Sequence, residues 1–441
     1  MSFTANQSIK PVTYKRNDNN EMEIGGCSIK NLINQFGSPL YIYDYDTILS
    51  IINDYKQAFE GTSVHMMYAS KAFMTQSICQ IMKKEGFGLD CVSSGEIYTA
   101  YSTGFDMKKI VFNGNNKTID ELKYALDKGV GLFSVDNFLE AKRLDNLCRQ
   151  QNITVNILLR ITPGIECHTH EYIQTGHLDC KFGFDLTQID EIVNLIKNEY
   201  QNLKLIGLHA HLGSQIFETD VYRDAIKIIM QEARRIKDSH NLTLNTFNIG
   251  GGVGVKYTNS DNPPSIYEIA DVIKNALKKY SQQFQIEAPQ LFIEPGRSII
   301  CTSGVTVYTV GSTKQVPNGN KYVSVDGGMA DNIRPALYDA EYVAEVVNDK
   351  TNVENEIVTI AGRYCESGDI LIKGVNLPKL FEGDLLCIYN TGAYCYSMAS
   401  NYNRVLKPAA VIVKDGVAQL IIKRQTFEQL VESDCIAEIL K

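Results

Sequence analysis

Long basic runs are missing from the sequence, and its net charge is −8, with 43 Lys and Arg against 51 Asp and Glu. A nucleic-acid partner is therefore not expected, because proteins that bind nucleic acid carry clustered positive charge. No apolar stretch approaches the roughly 18 residues that indicate a membrane-spanning helix, so no membrane partner is expected. The first residues show no charged segment followed by an apolar one, which predicts that the chain is cytoplasmic.

Paired cysteine motifs are missing as well. The 11 cysteines are an odd number, are scattered along the chain, and include no C-x-x-C pair. This distribution is typical of free thiols in a reducing cytosol and argues against a disulfide scaffold or a structural zinc site. Most of these cysteines are expected to be small buried hydrophobic residues.

The length and composition predict two globular domains. A chain of 441 residues is too long for one ordinary hydrophobic core. Its 44% hydrophobic and 21% charged residues are typical of globular proteins.

Strands and helices alternate from about residue 63, which predicts a parallel (β/α)8 barrel of the TIM type. An open, doubly wound sheet is the alternative architecture. The eight predicted strands are Val64–Ala69, Gly88–Val92, Ile110–Phe112, Leu132–Val135, Val155–Ile161, Leu205–Leu212, Thr246–Ile249 and Leu291–Ile293.

Helix signals separate these strands. Thr118-x-x-Glu121 is a capping-box pattern, Gly129 is a stop signal for that helix, and Asn137-x-x-Glu140 opens the next one. A third helix is predicted after Asp224 by apolar residues at helical spacing, which are Ile226, Ile229, Met230 and Ala233.

After about residue 298 the pattern changes to strands without long helices between them, which predicts an all-β domain. Asn318-Gly319 is a hairpin signal. Leu40–Tyr45 also resembles a strand and is expected to join this domain. The predicted division is a barrel at 40–297 and a β domain made of 1–39 and 298–441. The predicted strands of the second part are Val305–Val310, Lys321–Val325, Val358–Ala361, Leu385–Tyr389 and Ala409–Val413.

A lysine and a glutamate mark the two ends of the predicted barrel. Lys71 follows the first strand, and Glu294 follows the last, within Glu294-Pro295-Gly296-Arg297. A buried lysine is costly unless its amine is used. If the barrel closes, the two side chains become neighbours, and together they supply the amine and the carboxylate that a pyridoxal phosphate (PLP) site needs.

Other polar groups fall at the same predicted rim, the carboxyl ends of the strands. Gly250-Gly251-Gly252-x-Gly254 is a phosphate-cradle candidate, although a flexible turn is its simpler interpretation. The remaining rim positions are Asp90, Asn113 to Lys117, Arg160, and His209-x-His211-x-Gly213-Ser214.

Two residues apart on a predicted strand, His209 and His211 are expected to face the same way. One interpretation is a metal pair, which needs further ligands; His168 and His170 fall in a loop beyond the fifth strand. The preferred interpretation is that His211 stacks on an aromatic cofactor while His209 is a buried, hydrogen-bonded core histidine, with no metal.

These strings, taken in order from about Tyr41 to Ile422, resemble the fold-type III PLP-dependent decarboxylases, whose barrel is similar to that of alanine racemase. The lysine motif, H-x-G-S, the glycine run and E-P-G-R are shared across the family. Three further strings are more particular to its diaminopimelate branch: Asp326 to Tyr338, Cys365-Glu366-Ser367, and Thr175-Gly176 followed by Lys181-Phe182-Gly183.

The resemblance implies roles for individual residues. Lys71 binds PLP covalently, Cys365 donates a proton to the product, and Glu294 pairs with the pyridine nitrogen. In the family, Cys365 and Glu366 reach the site from the other subunit of a homodimer. The implied cofactor-binding residues are Lys71, Asp90, His211, Ser214, Gly251, Gly252, Glu294, Gly296, Arg297 and Tyr394, and the implied substrate-binding residues are Arg297, Arg334, Tyr338, Glu366 and Tyr394.

The resemblance implies decarboxylation of meso-2,6-diaminopimelate to L-lysine. Arg334 and Glu366 suit a substrate with both an acid and an amine at its far end, whereas ornithine and arginine lack the distal carboxylate. The alternatives are a decarboxylase for carboxynorspermidine, ornithine or arginine, a racemase of the same barrel, a barrel metallohydrolase, and a non-catalytic regulatory homologue.

Overall fold

The computed structural model describes residues 3–164, 181–287 and 289–440. Within these residues, no helix is both long and apolar enough to cross a membrane. Four positions named above, His168, His170, Thr175 and Gly176, lie outside the described residues.

Strands make up most of the regular structure in the second half of the chain and alternate with helices in the first. In chain order they are β1 (Lys15–Arg16), β2 (Met22–Ile24), β3 (Cys27–Ser28), β4 (Leu40–Asp44), β5 (Val64–Ala69), β6 (Gly88–Cys91), β7 (Ile110–Phe112), β8 (Leu132–Val135), β9 (Val155–Thr162), β10 (Phe184–Asp185), β11 (Leu203–His209), β12 (Thr246–Asn248), β13 (Gln290–Ile293), β14 (Gly304–Gln315), β15 (Lys321–Val325), β16 (Ala344–Val346), β17 (Asn355–Ala361), β18 (Ile370–Pro378), β19 (Leu385–Ile388), β20 (Ala409–Lys414) and β21 (Val417–Ile422).

The α-helices follow the same order along the chain. They are α1 (Ile29–Phe36), α2 (Tyr45–Ala58), α3 (Gln76–Glu85), α4 (Ser94–Ser102), α5 (Ile119–Asp127), α6 (Phe138–Gln151), α7 (Ile189–Asn198), α8 (Asp220–His240), α9 (Ile266–Phe284), α10 (Arg297–Ile300), α11 (Arg334–Tyr338) and α12 (Phe427–Val431).

Two compact units divide the chain. The barrel unit comprises the segment ending at Gln7, Ile51–Val255 and Asn262–Ile299, and the β unit comprises Ser8–Ser50, Lys256–Asp261 and Ile300–Lys441. The predicted domain boundaries at residues 40 and 297 refer to parts of the chain that fold independently, and they stay a prediction.

In the barrel unit, β5 to β9 and β11 to β13 form a closed parallel sheet, with β10 added beside β9. Closure occurs between the first and last of these strands, where Ile293 of β13 lies opposite Met66 of β5. The predicted (β/α)8 barrel is therefore confirmed, and the open sheet is excluded.

Local signals explain why the connecting helices begin and end where they do. Thr118 and Glu121 form the predicted capping box of α5, and Gly129, with φ of 75°, lies just beyond its end. The side chain of Asn137 caps α6 by accepting a hydrogen bond from the backbone N–H of Glu140 at 3.0 Å. These predictions are confirmed.

One predicted strand is misplaced. β11 ends at His209, so the expectation of a strand through Leu212 is wrong, and His211 lies two residues beyond the strand. The apolar pattern continues to Leu212, but the chain leaves the sheet and forms the loop that carries Gly213 and Ser214. In this loop the alternation of apolar and polar residues does not correspond to a strand.

The β unit is built around β4, which lies between β14 and β20. It pairs antiparallel with β14 and parallel with β20, so the expectation that Leu40–Tyr45 joins the β domain is confirmed. The Asn318-Gly319 hairpin is also confirmed: Asn318 has φ of 59° and connects the antiparallel strands β14 and β15. Predictions from sequence missed β18, whose mixed exposure and internal Gly374 obscure its alternation.

Candidate active site

Polar side chains gather at the carboxyl ends of the barrel strands. Lys71 lies in the 3-10 turn Ser70–Ala72 directly after β5, and Asp90 lies within β6. Asn113 directly follows β7, and Glu294 directly follows β13. Because β13 pairs with β5, the predicted proximity of Lys71 and Glu294 is a consequence of barrel closure.

Glu294 is buried and is held by two asparagine amides. The Nδ2 atoms of Asn248 and Asn113 both donate to its Oε1, at 2.7 Å and 3.0 Å. Burial is the main cause that raises the pKa of Glu294, and the nearby charge of Asp90 raises it further, whereas Lys71 and the two amides lower it. Burial therefore outweighs the donors, and the two amides and Lys71 offset part of the cost of ionising Glu294.

His209 is the buried core histidine that was predicted. Its Nδ1 lies 2.7 Å from Ser134 Oγ, and its Nε2, which has no hydrogen-bond partner among the described residues, lies 3.7 Å from Glu294 Oε2. Burial, followed by the charge of Arg160, lowers the pKa of His209 well below its ordinary value, so the imidazole is neutral near pH 7.

His211 has different surroundings. Its Nδ1 accepts a hydrogen bond from the backbone N–H of Gly251 at 3.2 Å, and burial also lowers its pKa well below the ordinary value. The prediction that His209 and His211 lie on one face of a strand is wrong, since His211 follows the strand. In the described parts of the chain, no group of three or more His, Cys, Asp or Glu side chains is arranged to hold a metal ion.

The glycine run after β12 is sterically required. Gly250 and Gly252 have φ of 68° and 92°, in the left-handed region that favours glycine. A Cβ atom at Gly250 would overlap the ring of His211, and one at Gly251 would overlap the carbonyl group of Glu294. The backbone here is therefore bare, and its approach to a ligand is not blocked by side chains.

An arginine and a serine lie at the neighbouring strand ends. Arg297 is buried, with 5% of its surface exposed, and its Nη2 donates to Ser214 Oγ at 2.9 Å. Gly296 allows the chain before Arg297 to pass close to the end of β5, because a Cβ atom there would lie 2.8 Å from the Cβ atom of Ala69. The barrel unit thus contains Lys71 and all the other predicted cofactor residues except Tyr394, which belongs to the β unit.

In the β unit, Arg334 is a buried guanidinium surrounded by tyrosines. Only 7% of its surface is exposed, and its Nε donates to Tyr342 Oη at 2.9 Å. Its Cζ lies 5.4 Å, 5.6 Å and 5.9 Å from the ring centroids of Tyr338, Tyr257 and Tyr394. Among the described residues it forms no ion pair with a carboxylate. Its positive charge is therefore stabilised mainly by cation–π contacts with the tyrosine rings.

The loop with Cys365 and Glu366 is held by hydrogen bonds to the rest of the β unit, while these two side chains are exposed. Tyr364 Oη donates to Asp331 Oδ1 at 3.0 Å, and the backbone N–H of Cys365 donates to Asn403 Oδ1 at 2.8 Å. The side chains of Cys365 and Glu366 are exposed in the single chain.

Residues 45–301 match the family model described as pyridoxal-dependent decarboxylase, pyridoxal binding domain, which is more than half of the chain. The chain belongs to this family of pyridoxal-dependent decarboxylases. The diaminopimelate decarboxylase of Bacillus subtilis (strain 168) is 44% identical, over 96% of this chain and 97% of that protein. The diaminopimelate decarboxylase of a Synechocystis strain is 45% identical, over 99% of this chain and 94% of that protein.

A solved structure shares the whole fold. The diaminopimelate decarboxylase from M. jannaschii, crystallised with L-lysine, is 32% identical, covers 100% of both chains and superposes with a TM-score of 0.91. The expectation that the chain is a fold-type III decarboxylase is confirmed.

The family's cofactor is PLP, and the barrel unit fits it. Lys71 offers an amine near the buried Glu294, the glycine run leaves a backbone cradle that side chains would fill, and His209 Nε2 is a buried polar atom without a partner among the described residues. These features match a ligand with a carbonyl group, a phosphate and a ring nitrogen.

Three residues that contact the predicted site residues were not predicted from the sequence. Asn248 could have been found as a polar residue at a strand end, two positions before the glycine run. Ser134 and Tyr342 carry no local signal, because their importance comes from contacts with His209 and Arg334, which are distant in sequence.

Proposed function

We propose that the protein decarboxylates meso-2,6-diaminopimelate to L-lysine and CO2, the last step of lysine biosynthesis. The observation that carries the proposal is Arg334, a buried guanidinium without a carboxylate partner among the described residues. A buried charge of this kind is costly unless a ligand pairs with it. A planar guanidinium binds a carboxylate through two parallel hydrogen bonds, which matches the distal carboxylate of diaminopimelate.

Further roles are assigned to the other residues of the barrel site. Lys71 is the amine that carries the cofactor, Glu294 pairs with its ring nitrogen, and His211 stacks on the ring. When bound, PLP supplies an electron sink for the electron pair left by loss of CO2. The proposed phosphate-binding residues and their neighbours are Ser214, Gly251, Gly252, Gly296, Arg297 and Tyr394, and Asp90 is proposed as a further cofactor-binding residue near Glu294.

The substrate is held at its far end by opposite charges. Arg297, Arg334 and Tyr338 bind the distal carboxylate, with Tyr394 beside them, and Glu366 binds the distal ammonium group. This pairing rejects substrates that lack the second carboxylate, because a buried Arg334 would stay unpaired against them.

Cys365 is the proposed proton donor to the carbon that loses CO2, and it acts together with Glu366 in the active site of a partner subunit. Two observations support a homodimer with shared sites. Both side chains are exposed in the single chain. The C-terminal segment also exposes apolar residues, with Ile439 94% exposed, which is unfavourable unless another surface covers them.

The proposed location is the cytoplasm. Nine cysteines of the described residues are free thiols, seven of them buried, which suits a reducing compartment.

The test of the function is lysine release from meso-diaminopimelate with added PLP, run beside ornithine, arginine and carboxynorspermidine. Lysine from diaminopimelate alone is expected. Turnover of another substrate would keep the PLP chemistry and overturn the roles given to Arg334 and Glu366.

The shared site has its own test. Lys71→Ala and Cys365→Ala are each expected to be inactive, and Lys71→Ala is expected to lose the visible absorbance of bound PLP. A mixture of the two is expected to regain activity, because one heterodimer site contains neither substitution. No recovery, with heterodimers shown to form by tagged co-purification, would contradict a shared site.

A further inference from the structure

We propose that Asn113 is a positioning residue: its Nδ2 amide bridges Asp90 and Glu294, and it leaves Glu294 Oε2 as the carboxylate oxygen available to the cofactor's ring nitrogen. This inference rests on PLP chemistry at the barrel site and not on the identity of the substrate.

The bridge uses both protons of one amide nitrogen. Asn113 Nδ2 donates to Asp90 Oδ1 at 2.5 Å and to Glu294 Oε1 at 3.0 Å, and both hydrogen bonds are buried. The opposite orientation of the amide would point its oxygen at two carboxylates and is unfavourable. The backbone fixes the residue as well, because the N–H of Asn113 donates to the carbonyl of Cys91 at 2.8 Å.

The two oxygens of Glu294 become inequivalent. Oε1 accepts from both Asn113 and Asn248, and Asn248 is itself oriented because its Oδ1 accepts from the N–H of Gly250 at 2.8 Å. His209 Nε2 lies 3.7 Å from Oε2, which is beyond hydrogen-bond distance. Oε2 is therefore the oxygen with remaining hydrogen-bonding capacity.

The charges around Glu294 explain why such a bridge is needed. Asp90 on β6 repels the ionised carboxylate, Lys71 after β5 attracts it, and the neutral His209 on β11 faces it. His209 in turn faces Arg160, His211, Lys71 and Lys117. Two buried carboxylates that share a site tend to retain one proton, and a donor common to both reduces that tendency. Ionised Glu294 then keeps the ring nitrogen protonated.

The experiment replaces the amide with groups that cannot donate. Asn113→Leu removes both hydrogen bonds, and the nearly isosteric Asn113→Asp adds a third carboxylate. The acid limb of the pH profile of kcat/KM is expected to move up by about one to two pH units in Asn113→Leu and further in Asn113→Asp, the size expected for loss of a hydrogen bond to a charged group. Activity is expected to recover toward wild type as the pH rises.

Two readouts do not depend on turnover. PLP affinity, measured by fluorescence titration of the cofactor-free full-length chain, is expected to fall about tenfold at pH 7 and less at pH 9, following the same shift. Infrared spectra with isotope-labelled glutamate, from which Glu294→Gln spectra are subtracted, are expected to show the Glu294 carboxylate titrating at higher pH in both variants.

The matched control is Asn116→Leu, an exposed position in the same loop. It is expected to leave the pH profile, the PLP affinity and the Glu294 titration unchanged. If the Asn113 variants match this control in the infrared titration and the acid limb, the proposal is overturned. If Asn113→Leu does not fold, as judged by circular dichroism, the isosteric Asn113→Asp carries the same test. If the protein does not turn over diaminopimelate, the infrared titration and the PLP affinity still test the role of Asn113, because neither measurement uses the substrate.

Discussion

Asp331 illustrates how a single buried residue makes stability depend on pH. Burial is the main cause that raises its pKa to about 7, although the N–H of Gly328 and the hydroxyl of Tyr364 donate to it. Between its pKa in the unfolded chain, about 4, and this value, the folded form holds a proton that the unfolded form has released. The free energy of unfolding therefore falls as the pH rises from about 4 to 7.

Asp331→Asn is expected to flatten this dependence, because an amide does not titrate. Between pH 5 and 8 the wild-type free energy of unfolding is expected to fall by on the order of 2 kcal/mol more than that of the variant. Urea unfolding followed by circular dichroism at each pH measures the difference. The exposed Asp18→Asn is the control, and an Asp331→Asn slope equal to that control would contradict the prediction.

The ion pair between Lys117 and Glu140 is a second buried charge with a predictable cost. The Nζ–Oε1 distance is 2.7 Å, and both side chains are almost fully buried. Lys117→Met is expected to destabilise the protein by about 3–5 kcal/mol, because Glu140 is left as an uncompensated buried charge. Lys117→Met combined with Glu140→Leu is expected to cost much less than the two single changes added together.

Chemical unfolding of the four proteins tests this non-additivity. The control is Lys56→Met, which breaks the more exposed pair with Glu85 and is expected to cost less than about 1 kcal/mol. Additive costs for Lys117→Met and Glu140→Leu would show that the pair does not act as a unit.

At the residue scale, the sequence predicted well which side chains lie at the barrel rim, but it did not predict which atoms they contact. Lys71 and Glu294 were placed correctly, because strand ends and closure follow from the alternation of elements. The bridge from Asn113 to two carboxylates could not be predicted, because it depends on side-chain distances that no sequence spacing reports.

Among the elements, α5 depends on its capping box. Thr118 Oγ1 accepts from the N–H of Glu121 at 3.2 Å, while Glu121 Oε2 accepts from the N–H of Thr118 at 3.0 Å. Thr118→Ala is expected to cost about 1 kcal/mol, since it leaves a helix N–H without its partner.

Urea midpoints measure this cost. Thr99→Ala is the matched control, because Thr99 lies within α4 and its hydroxyl donates to the carbonyl of Gly95 in the preceding turn. It is expected to change the stability by less than about 0.5 kcal/mol. Equal destabilisation by both changes would argue against a capping role.

Element boundaries were predictable where a local signal marks them. β5, β7 and β8 have the predicted bounds, and the capping signals of α5 and α6 are confirmed. The end of β11 was wrong because burial continues into the following loop, so the hydrophobic pattern outlasts the strand. Tertiary contacts, rather than periodicity, decide such an end.

At the scale of the whole molecule, the exposed C-terminal apolar residues predict that subunits associate through this segment. Substituting both Ile436 and Ile439 with Asp is expected to weaken the proposed dimer by about tenfold or more, because charges would enter an apolar contact. Sedimentation velocity over a dilution series measures the dissociation.

The control for this change is Glu432→Lys, an exposed charge substitution in the same segment. It is expected to leave the dimer intact. A wild-type protein that is monomeric throughout, or a double variant that stays dimeric, would contradict the prediction. The proposed sharing of sites between subunits also predicts that activity falls in parallel with dimer dissociation.

The place of β4 at the centre of its sheet has a consequence for the newly made chain. Leu40–Asp44 leaves the ribosome before both of its partners, which are β14, starting at Gly304, and β20, starting at Ala409. One hydrogen-bonding edge of this wholly buried strand therefore waits for about 264 residues of synthesis (Leu40 to Gly304) and the other for about 369 (Leu40 to Ala409), which takes tens of seconds at typical elongation rates of about 5–20 residues per second. During translation this apolar strand has two unpaired edges and needs protection from aggregation until both partners are made.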